Sequence, residues 1–251
     1  MKKRLFLCLA ACAALLSAGV SFASDILKPR GVVELFTSQG CNSCPPADAV
    51  LNGLVKTGDV VALGYHVDYW DYLGWKDTLA TPDSTERQKL YGKAFGKREV
   101  YTPQAIINGR VHVKGGKRGA VGAALSELER TGQGLTIPIN VVRNGESVII
   151  ETAGAPNGKD DAHLILVHFA PRQPVTIERG ENKGQIITYV NPVTDVQTAG
   201  MWHGKPARFE LPRSEVNKQG GCAVLLQKVN KEGLPGPILG AAVISAEAGS
   251  P

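Results

Sequence analysis

A cysteine pair between an apolar run and a helical pattern most constrains what this chain can fold into. The run Val32–Phe36 is typical of a buried strand, and Cys41 and Cys44 follow it after a polar turn. Apolar residues then recur at helical spacing over residues 47–55. The first N–H groups of a helix are unpaired and carry partial positive charge, so they stabilise a thiolate. We therefore expect an exposed, acidic Cys41 with Cys44 behind it.

The first 23 residues have the pattern of a secretory leader. Three basic residues precede an apolar run from Leu5 to Val20, and a small-x-small cleavage pattern ends at Ala23. This run is shorter than the roughly 20 apolar residues that span a bilayer. The sequence predicts a signal peptide over residues 1–23, a periplasmic or secreted protein, and no stable membrane insertion after leader cleavage.

Charge and cysteine content narrow the function classes. The formal charge of +5 falls to +2 when the three basic leader residues are removed. The sequence has no stripe of basic residues interleaved with aromatic ones, so nothing in it predicts nucleic acid as a partner.

Cys41, Cys44 and Cys222 remain after cleavage. A chain this long builds a core without disulfides, which favours a chemical role for the pair. Cys222 opens an apolar strand, so we expect a small buried residue there, or alternatively a resolving thiol.

Helices and strands alternate after the cysteines. The sequence predicts a helix over 45–55, a strand over 60–67, a helix over 84–95, strands over 105–107 and 111–113, and a helix over 118–130. This order resembles the thioredoxin fold. Thr102-Pro103 stands where thioredoxins carry a cis proline that faces the cysteine pair, and the resemblance implies that Thr102 presents its backbone to substrate.

Glu34 lies inside the predicted buried strand, where thioredoxins also bury a carboxylate. Burial disfavours its charged form, so the resemblance implies that Glu34 accepts the proton of Cys44 when that thiol attacks a mixed disulfide. The alternative is a Glu34 that faces solvent on a one-sided sheet. Gly40 and Pro45-Pro46 depart from the thioredoxin pattern, so a redox potential does not carry over.

An aromatic-rich loop leaves the carboxyl end of the second predicted strand. Ligands bind at this edge of open α/β sheets, and the loop could wall the cleft beside the cysteines. The candidate substrate-binding residues are His66, Asp68, Tyr69, Trp70, Trp75 and Gln104. The alternative is an aromatic cluster that seals the domain against its neighbour.

Three motifs together carry a closer resemblance: Glu-Leu-Phe-Thr-Ser-Gln-Gly-Cys-x-x-Cys-Pro-Pro-Ala-Asp, His-Val-Asp-Tyr-Trp-Asp-Tyr-Leu-Gly-Trp and Tyr-Thr-Pro-Gln. They resemble a family of secreted bacterial thioredoxin-like proteins catalogued as a domain of unknown function (1223). This resemblance implies the fold and the placement of the motifs, and it implies no reaction.

After residue 131 the helical pattern gives way to candidate strands. They cover residues 136–142, 147–152, 163–170, 185–189, 207–211, 222–229 and 238–245. We therefore expect an α/β thioredoxin-like domain over 24–131, followed by an all-β sandwich-like domain over 132–251. The second domain lacks a grouped nucleophile and base, so binding or positioning is its expected role.

These observations predict a thiol-disulfide oxidoreductase that uses Cys41 and Cys44, with no cofactor and no resident metal. Its partners would be a protein or small-molecule thiol or disulfide substrate and an unidentified redox partner, with either direction of electron flow. Two alternatives stay open. One is a copper- or zinc-binding or delivery module that uses the cysteines and His66; the other is a non-catalytic binding protein with a permanent disulfide.

Overall fold

A computed structural model of the chain describes residues 28–218 and 220–244. The predicted signal peptide, residues 1–23, lies outside the described residues. In those two described ranges, no helix has both the length and the apolar character that a bilayer span requires. The domain boundary after residue 131 stays a prediction.

Strands outnumber helices along the described chain. The elements in order are β1 (Gly31–Thr37), α1 (Pro45–Thr57), β2 (Val60–His66), a 3-10 turn (Asp71–Leu73), α2 (Pro82–Ala94), β3 (Gln104–Ile107), β4 (Val111–Lys114), α3 (Arg118–Arg130), β5 (Ile139–Asn144), β6 (Ser147–Thr152), β7 (Ala162–Phe169), β8 (Gln173–Thr176), β9 (Ile186–Tyr189), β10 (Val193–Trp202), β11 (Ala207–Pro212), α4 (Arg213–Val216), β12 (Gly221–Val229) and β13 (Pro235–Ile244).

The predicted fold class, an α/β thioredoxin-like domain followed by an all-β sandwich-like domain, is wrong. Strands take 40% and helices 21% of the described residues, and the strands form four sheets. The sheet orders are β2-β1-β3-β4, β10-β7-β12-β13, β11-β6-β5 and β8-β9. The chain is therefore mostly β, and helices flank only part of it.

The sheet β10-β7-β12-β13 is the physical reason for this correction, because it is buried on both faces. Ile165 of β7 shares a core with Phe36 of β1, whereas its neighbour Leu164 shares a second core with Ile150 of β6. Successive side chains of a strand point to opposite faces. The strands after residue 131 therefore share one core among themselves on one face of their central sheet, and the other face of that sheet completes the core of the first sheet, so the two halves are not separately cored domains.

The two faces of β1 lead to different surroundings, and this decides which of its side chains approach α1. Val33 and Leu35 share a core with Ala47 of α1 and Leu125 of α3. The intervening residues face α2 and the central sheet, where Phe36 packs with buried aromatic rings. Strand β1 pairs in parallel with β2 and antiparallel with β3.

Most predicted elements exist within a few residues of their predicted bounds, and β8 and β10 are the strands that the pattern misses. Strand β10, Val193–Trp202, is largely half-exposed and contains two register shifts against β7. Such irregularities interrupt the two-residue alternation that reveals a strand. Asn108-Gly109, a dipeptide typical of tight hairpin turns, joins β3 and β4 with φ of 50° and 63°.

Candidate active site around the Cys41–Cys44 disulfide

The cysteine pair closes a disulfide at the N-terminus of α1. Cys41 and Cys44 are bonded, with 5.4 Å between their Cα atoms. The carbonyl of Cys44 accepts the backbone N–H groups of Ala47 at 2.8 Å and Asp48 at 3.1 Å, which begins the helix. The expectation of an exposed Cys41 is wrong for this state, because Cys41 is 1% and Cys44 0% exposed. The disulfide is covered by other parts of the chain.

The polar group beside the Cys41 sulfur is a hydroxyl. Ser43 Oγ lies 3.4 Å from Cys41 Sγ. Pro45 and Pro46 occupy the first two positions of α1 and have no N–H. The first turn of α1 therefore offers fewer backbone N–H donors to the cysteines than a helix without prolines would. The Ser43 hydroxyl is placed to donate to a thiolate on Cys41.

A buried carboxyl group, Asp48, lies one helical turn after Cys44. Residues four apart share a helix face, and Thr37 Oγ1 donates to Asp48 Oδ1 at 2.9 Å. The other oxygen, Oδ2, has no hydrogen-bond partner among the described residues. Burial raises the pKa of Asp48 to about 7, although His66 and the Thr37 hydroxyl oppose the rise. Asp48 therefore exchanges its proton near neutral pH.

His66 and Asp77 form a buried pair next to the cysteine turn. His66 Nδ1 lies 2.9 Å from Asp77 Oδ2. Asp77 also accepts the backbone N–H groups of Gln39 and Leu79, both at 2.8 Å. Burial alone would raise the pKa of Asp77, but His66 and these N–H groups lower it. Through the bond from Gln39 to Asp77, the end of the aromatic loop is held against the turn that carries the cysteines.

Tyr189 of β9 lies in one buried polar cluster with Asp48, His66 and Asp77. Its ring meets that of His66 edge-on, with 4.6 Å between centroids. Burial raises its pKa, and the charges of Asp48 and Asp77 raise it further. The phenol thus stays protonated, and its oxygen has no hydrogen-bond partner among the described residues. Two unpartnered polar atoms, one on Asp48 and one on Tyr189, lie buried in this cluster.

Two tryptophans brace the cysteine turn from the aromatic loop. Trp70 Nε1 donates to Thr102 Oγ1, and Trp75 Nε1 donates to Gln39 Oε1, both at 2.8 Å. A Cβ at Gly40 would lie 3.1 Å from the Cβ of Trp70. The lack of a side chain at Gly40 therefore lets the aromatic loop lie against the turn.

Pro103 lies beside the first turn of α1. The Thr102–Pro103 peptide bond is cis, as predicted. A Cβ built at Gly115 would lie 3.2 Å from the Cβ of Ala47 and 3.5 Å from that of Pro103. The structure thus brings Thr102-Pro103, Trp70, Trp75 and His66 to the same end of the first sheet as the disulfide.

Three other predicted substrate-binding residues, Asp68, Tyr69 and Gln104, make hydrogen bonds toward α2. Asp68 Oδ1 accepts the Thr85 hydroxyl at 2.6 Å, and Tyr69 Oη donates to Gln88 Oε1 at 3.1 Å. The same Gln88 donates to Gln104 Oε1 at 2.9 Å. These side chains hold the aromatic loop on α2, and their contact with a substrate stays a prediction.

Glu34 lies on the face of β1 that points away from α1. It is fully buried, which excludes the solvent-facing alternative. Arg87 Nε donates to its Oε1 at 2.8 Å, and Tyr91 Oη donates to its Oε2 at 2.5 Å. The expected proton transfer from Cys44 to Glu34 is therefore not supported by the placement of this carboxylate, because α1 and Cys44 lie across the sheet.

Comparison with known proteins places the chain in a family. Residues 32–227 match the family described as protein of unknown function (DUF1223). The chain belongs to the DUF1223 family. A crystal structure of a protein from Agrobacterium tumefaciens is similar to this DUF1223 protein at 45% identity and a TM-score of 0.80, over 89% of this chain and 97% of that one. None of the curated proteins matches this chain.

Cys222, the free cysteine in the described part of this DUF1223 protein, lies in a core that does not include the disulfide. Cys222 is buried among β6, β7 and β13 residues, and burial raises the pKa of its thiol to about 12. A thiol in that environment is inert at neutral pH. In the described part of the chain, no group of three His, Cys, Asp or Glu residues is arranged to hold a metal ion.

Sequence motifs do not single out two residues that the structure places at the disulfide. Asp48 could have been found from its four-residue spacing to Cys44 within the predicted helix. Asn182, in the loop between β8 and β9, donates to the carbonyl oxygen of Cys41 at 3.0 Å. No sequence signal identifies Asn182, because it reaches the site through a hairpin 141 residues farther along the chain.

Proposed function

We propose that this DUF1223 protein is a thiol-disulfide oxidoreductase that works through Cys41 and Cys44 in an oxidising compartment reached by secretion. The observation that supports this most is the disulfide at a helix N-terminus with a buried carboxyl group, Asp48, one turn away and a pKa of about 7. A disulfide that only staples the fold gains nothing from such a group. Strongly perturbed acids concentrate at functional sites.

Oxidation of a substrate begins when its thiolate attacks Cys41 Sγ. A mixed disulfide forms, the bond to Cys44 breaks, and its electron pair leaves on the Cys44 sulfur. Protonated Asp48 supplies the proton that makes Cys44 a thiol. A second substrate thiolate attacks the substrate sulfur and releases Cys41 as a thiolate, to which Ser43 donates. The substrate dithiol has become a disulfide, and the protein carries two reduced cysteines.

The same groups serve the reverse reaction. Cys44 attacks the mixed disulfide as a thiolate after ionised Asp48 has taken its proton. A group with a pKa of about 7 has comparable protonated and ionised populations at neutral pH, so Asp48 suits either direction. A second thiol or disulfide protein would return the pair to its starting state.

Replacing the resolving cysteine should trap substrates. In the Cys44→Ala variant, Cys41 still forms a mixed disulfide, but no internal thiol resolves it. We expect covalent adducts that disappear on reduction, detected by non-reducing gel electrophoresis and mass spectrometry of material from the producing cell's secretory compartment.

Two matched variants make this test specific. Cys222→Ala, combined with Cys44→Ala, should leave the adducts in place because Cys222 lies in a separate core. Cys41→Ala with Cys44→Ala should abolish them. Absence of adducts in the Cys44→Ala variant, together with a disulfide that dithiols cannot cycle, would refute the proposed function.

A further inference from the structure

The loop between β8 and β9 lies against the turn that carries Cys41, and the Asn182 side chain bonds to that turn. The amide of Asn182 donates to the carbonyl oxygen of Gln39 at 2.9 Å and to that of Cys41 at 3.0 Å. Asn182 is buried, whereas its neighbours Glu181 and Lys183 are exposed. Ile177, at the base of the loop, is also buried, so the amide of Asn182 attaches the tip of the loop, and not its base, to the cysteine turn.

Two glycines in left-handed conformations bracket this amide. Gly180 has φ of 76° and Gly184 has φ of 84°, values that other residues rarely adopt. A Cβ on Gly180 would lie 3.3 Å from the Cβ of Trp75, so the loop rests on the aromatic loop. Gln185 donates to Asn182 Oδ1 at 3.2 Å. This bond orients Asn182 so that its N–H groups face the cysteine turn.

We propose that the β8–β9 hairpin is a cap latched by Asn182, and that thiols reach the disulfide only after the cap lifts. The two cysteines are 1% and 0% exposed, and exchange requires a thiolate to reach a sulfur of the disulfide. The closed state gives it no path. Opening at the two glycine positions exposes Cys41 while β9 keeps Tyr189 against His66.

The latch also indicates the class of substrate that the open site accepts. Lifting Asn182 leaves the carbonyl oxygen of Gln39 without a donor among the described residues and leaves that of Cys41 with only the N–H of Cys44, which is unfavourable unless other N–H groups replace the Asn182 amide. An extended polypeptide carries backbone N–H groups beside its cysteine. A simple dithiol without amide groups carries none. The cap therefore favours cysteines in flexible polypeptide segments, a specificity that rests on the proposed function.

Reduction of the disulfide by dithiothreitol tests the cap, with thiols counted by alkylation and gel shift. The wild-type rate should level off at high dithiothreitol concentration, because opening becomes limiting. Asn182→Ala should raise this plateau roughly tenfold, as expected when two hydrogen bonds that hold a closed state are lost. Asn182→Asp keeps the shape of the side chain, loses its donors, and should act in the same direction.

Lys183→Ala is the matched control, since this neighbour is exposed and its variant should reduce at the wild-type rate. Equal rates in wild type and both Asn182 variants, rising linearly with dithiothreitol, would overturn the cap. At low concentration, a flexible peptide with two cysteines should reduce the wild-type protein faster than a dithiol of equal thiol reactivity that lacks amide groups, because its N–H groups donate to the carbonyl oxygens that Asn182 leaves. Equal rates for the two reductants would overturn the substrate class.

These outcomes are separable from failure of the proposed function. Dithiothreitol reports on access to Cys41 whether or not a biological partner exists. If Asn182 variants raise the plateau rate but the Cys44→Ala variant forms no adducts, the cap is supported and the oxidoreductase is rejected. If the Cys44→Ala variant forms adducts but the Asn182 variants reduce at the wild-type rate, the oxidoreductase is supported and the cap is rejected.

Discussion

Replacing Asp48 with Asn should slow resolution of a mixed disulfide on Cys41 by roughly 100-fold at pH 7, the scale of a lost general acid-base group. The variant keeps the size of the side chain and the acceptor for Thr37, and it removes the group that takes the Cys44 proton. The measurement is release of a chromogenic thiolate from a preformed mixed disulfide at Cys41. In wild type, part of the pH dependence should follow ionisation of Asp48 near pH 7.

The same variant should be more stable than wild type at high pH. The pKa of Asp48 is raised from 3.8 to about 7 in the folded protein, so the folded state binds this proton more tightly than the unfolded chain. The free energy of unfolding therefore falls as pH rises from about 4 to about 7 and is level above that range. At about 1.36 kcal/mol for each pH unit, the loss is on the order of 4 kcal/mol.

Asp48→Asn should abolish this decline, which denaturant unfolding of the oxidised proteins at pH 5 and pH 8 would measure. The two proteins should differ little at the lower pH and clearly at the higher one. A variant that resolves mixed disulfides at the wild-type rate, or that keeps the wild-type dependence of stability on pH, would remove Asp48 from the mechanism.

Replacing Glu34 with Gln should lower the free energy of unfolding by about 3–5 kcal/mol at pH 7, the usual result of breaking a buried ion pair. Asp48→Asn, by contrast, should slow the reaction and not destabilise the protein. The Glu34 side chain is 0% and the Arg87 side chain 12% exposed, with 2.8 Å between the charged groups. Gln leaves the Arg87 charge without its counterion. The guanidinium is held between Tyr65 and Tyr91 at 5.5 and 5.1 Å from the ring centroids, so it cannot move easily to solvent.

Glu34→Gln is also the matched control for Asp48→Asn, since both remove one buried carboxylate from the same half of the chain. Resolution of the mixed disulfide by Cys44 should stay near the wild-type rate, because Glu34 faces away from α1. A large loss of this rate in folded Glu34→Gln protein would return the proton-accepting role to Glu34. Unchanged stability would contradict the importance of the ion pair with Arg87.

The sequence is informative wherever a residue's role follows from its neighbours in the chain. The spacing of Cys41 and Cys44 before an apolar helical pattern places the disulfide at the start of α1, and Asn108-Gly109 predicts its hairpin. The burial of Glu34 also follows from its apolar flanks. That Arg87 is the partner of Glu34 does not follow from the sequence, because it depends on which helices and strands cover each face of the first sheet.

The error in fold class has a similar origin. Runs such as Ala223–Leu226 are continuously apolar, which is typical of strands covered on both faces. Such a run indicates double coverage, but it does not say that one cover is the sheet containing β1. Asn182 shows the same limit at the site, since a polar loop residue gives no sign that it will fold back onto Cys41.

The reduction potential of the Cys41–Cys44 couple, measured in glutathione buffers on the Cys222→Ala protein, tests the central claim most directly. An exchanging pair should titrate reversibly between roughly −270 and −120 mV, the range of thiol-disulfide oxidoreductases. A potential below about −300 mV, where structural disulfides lie, would show that the bond is a permanent staple and would contradict the proposed function.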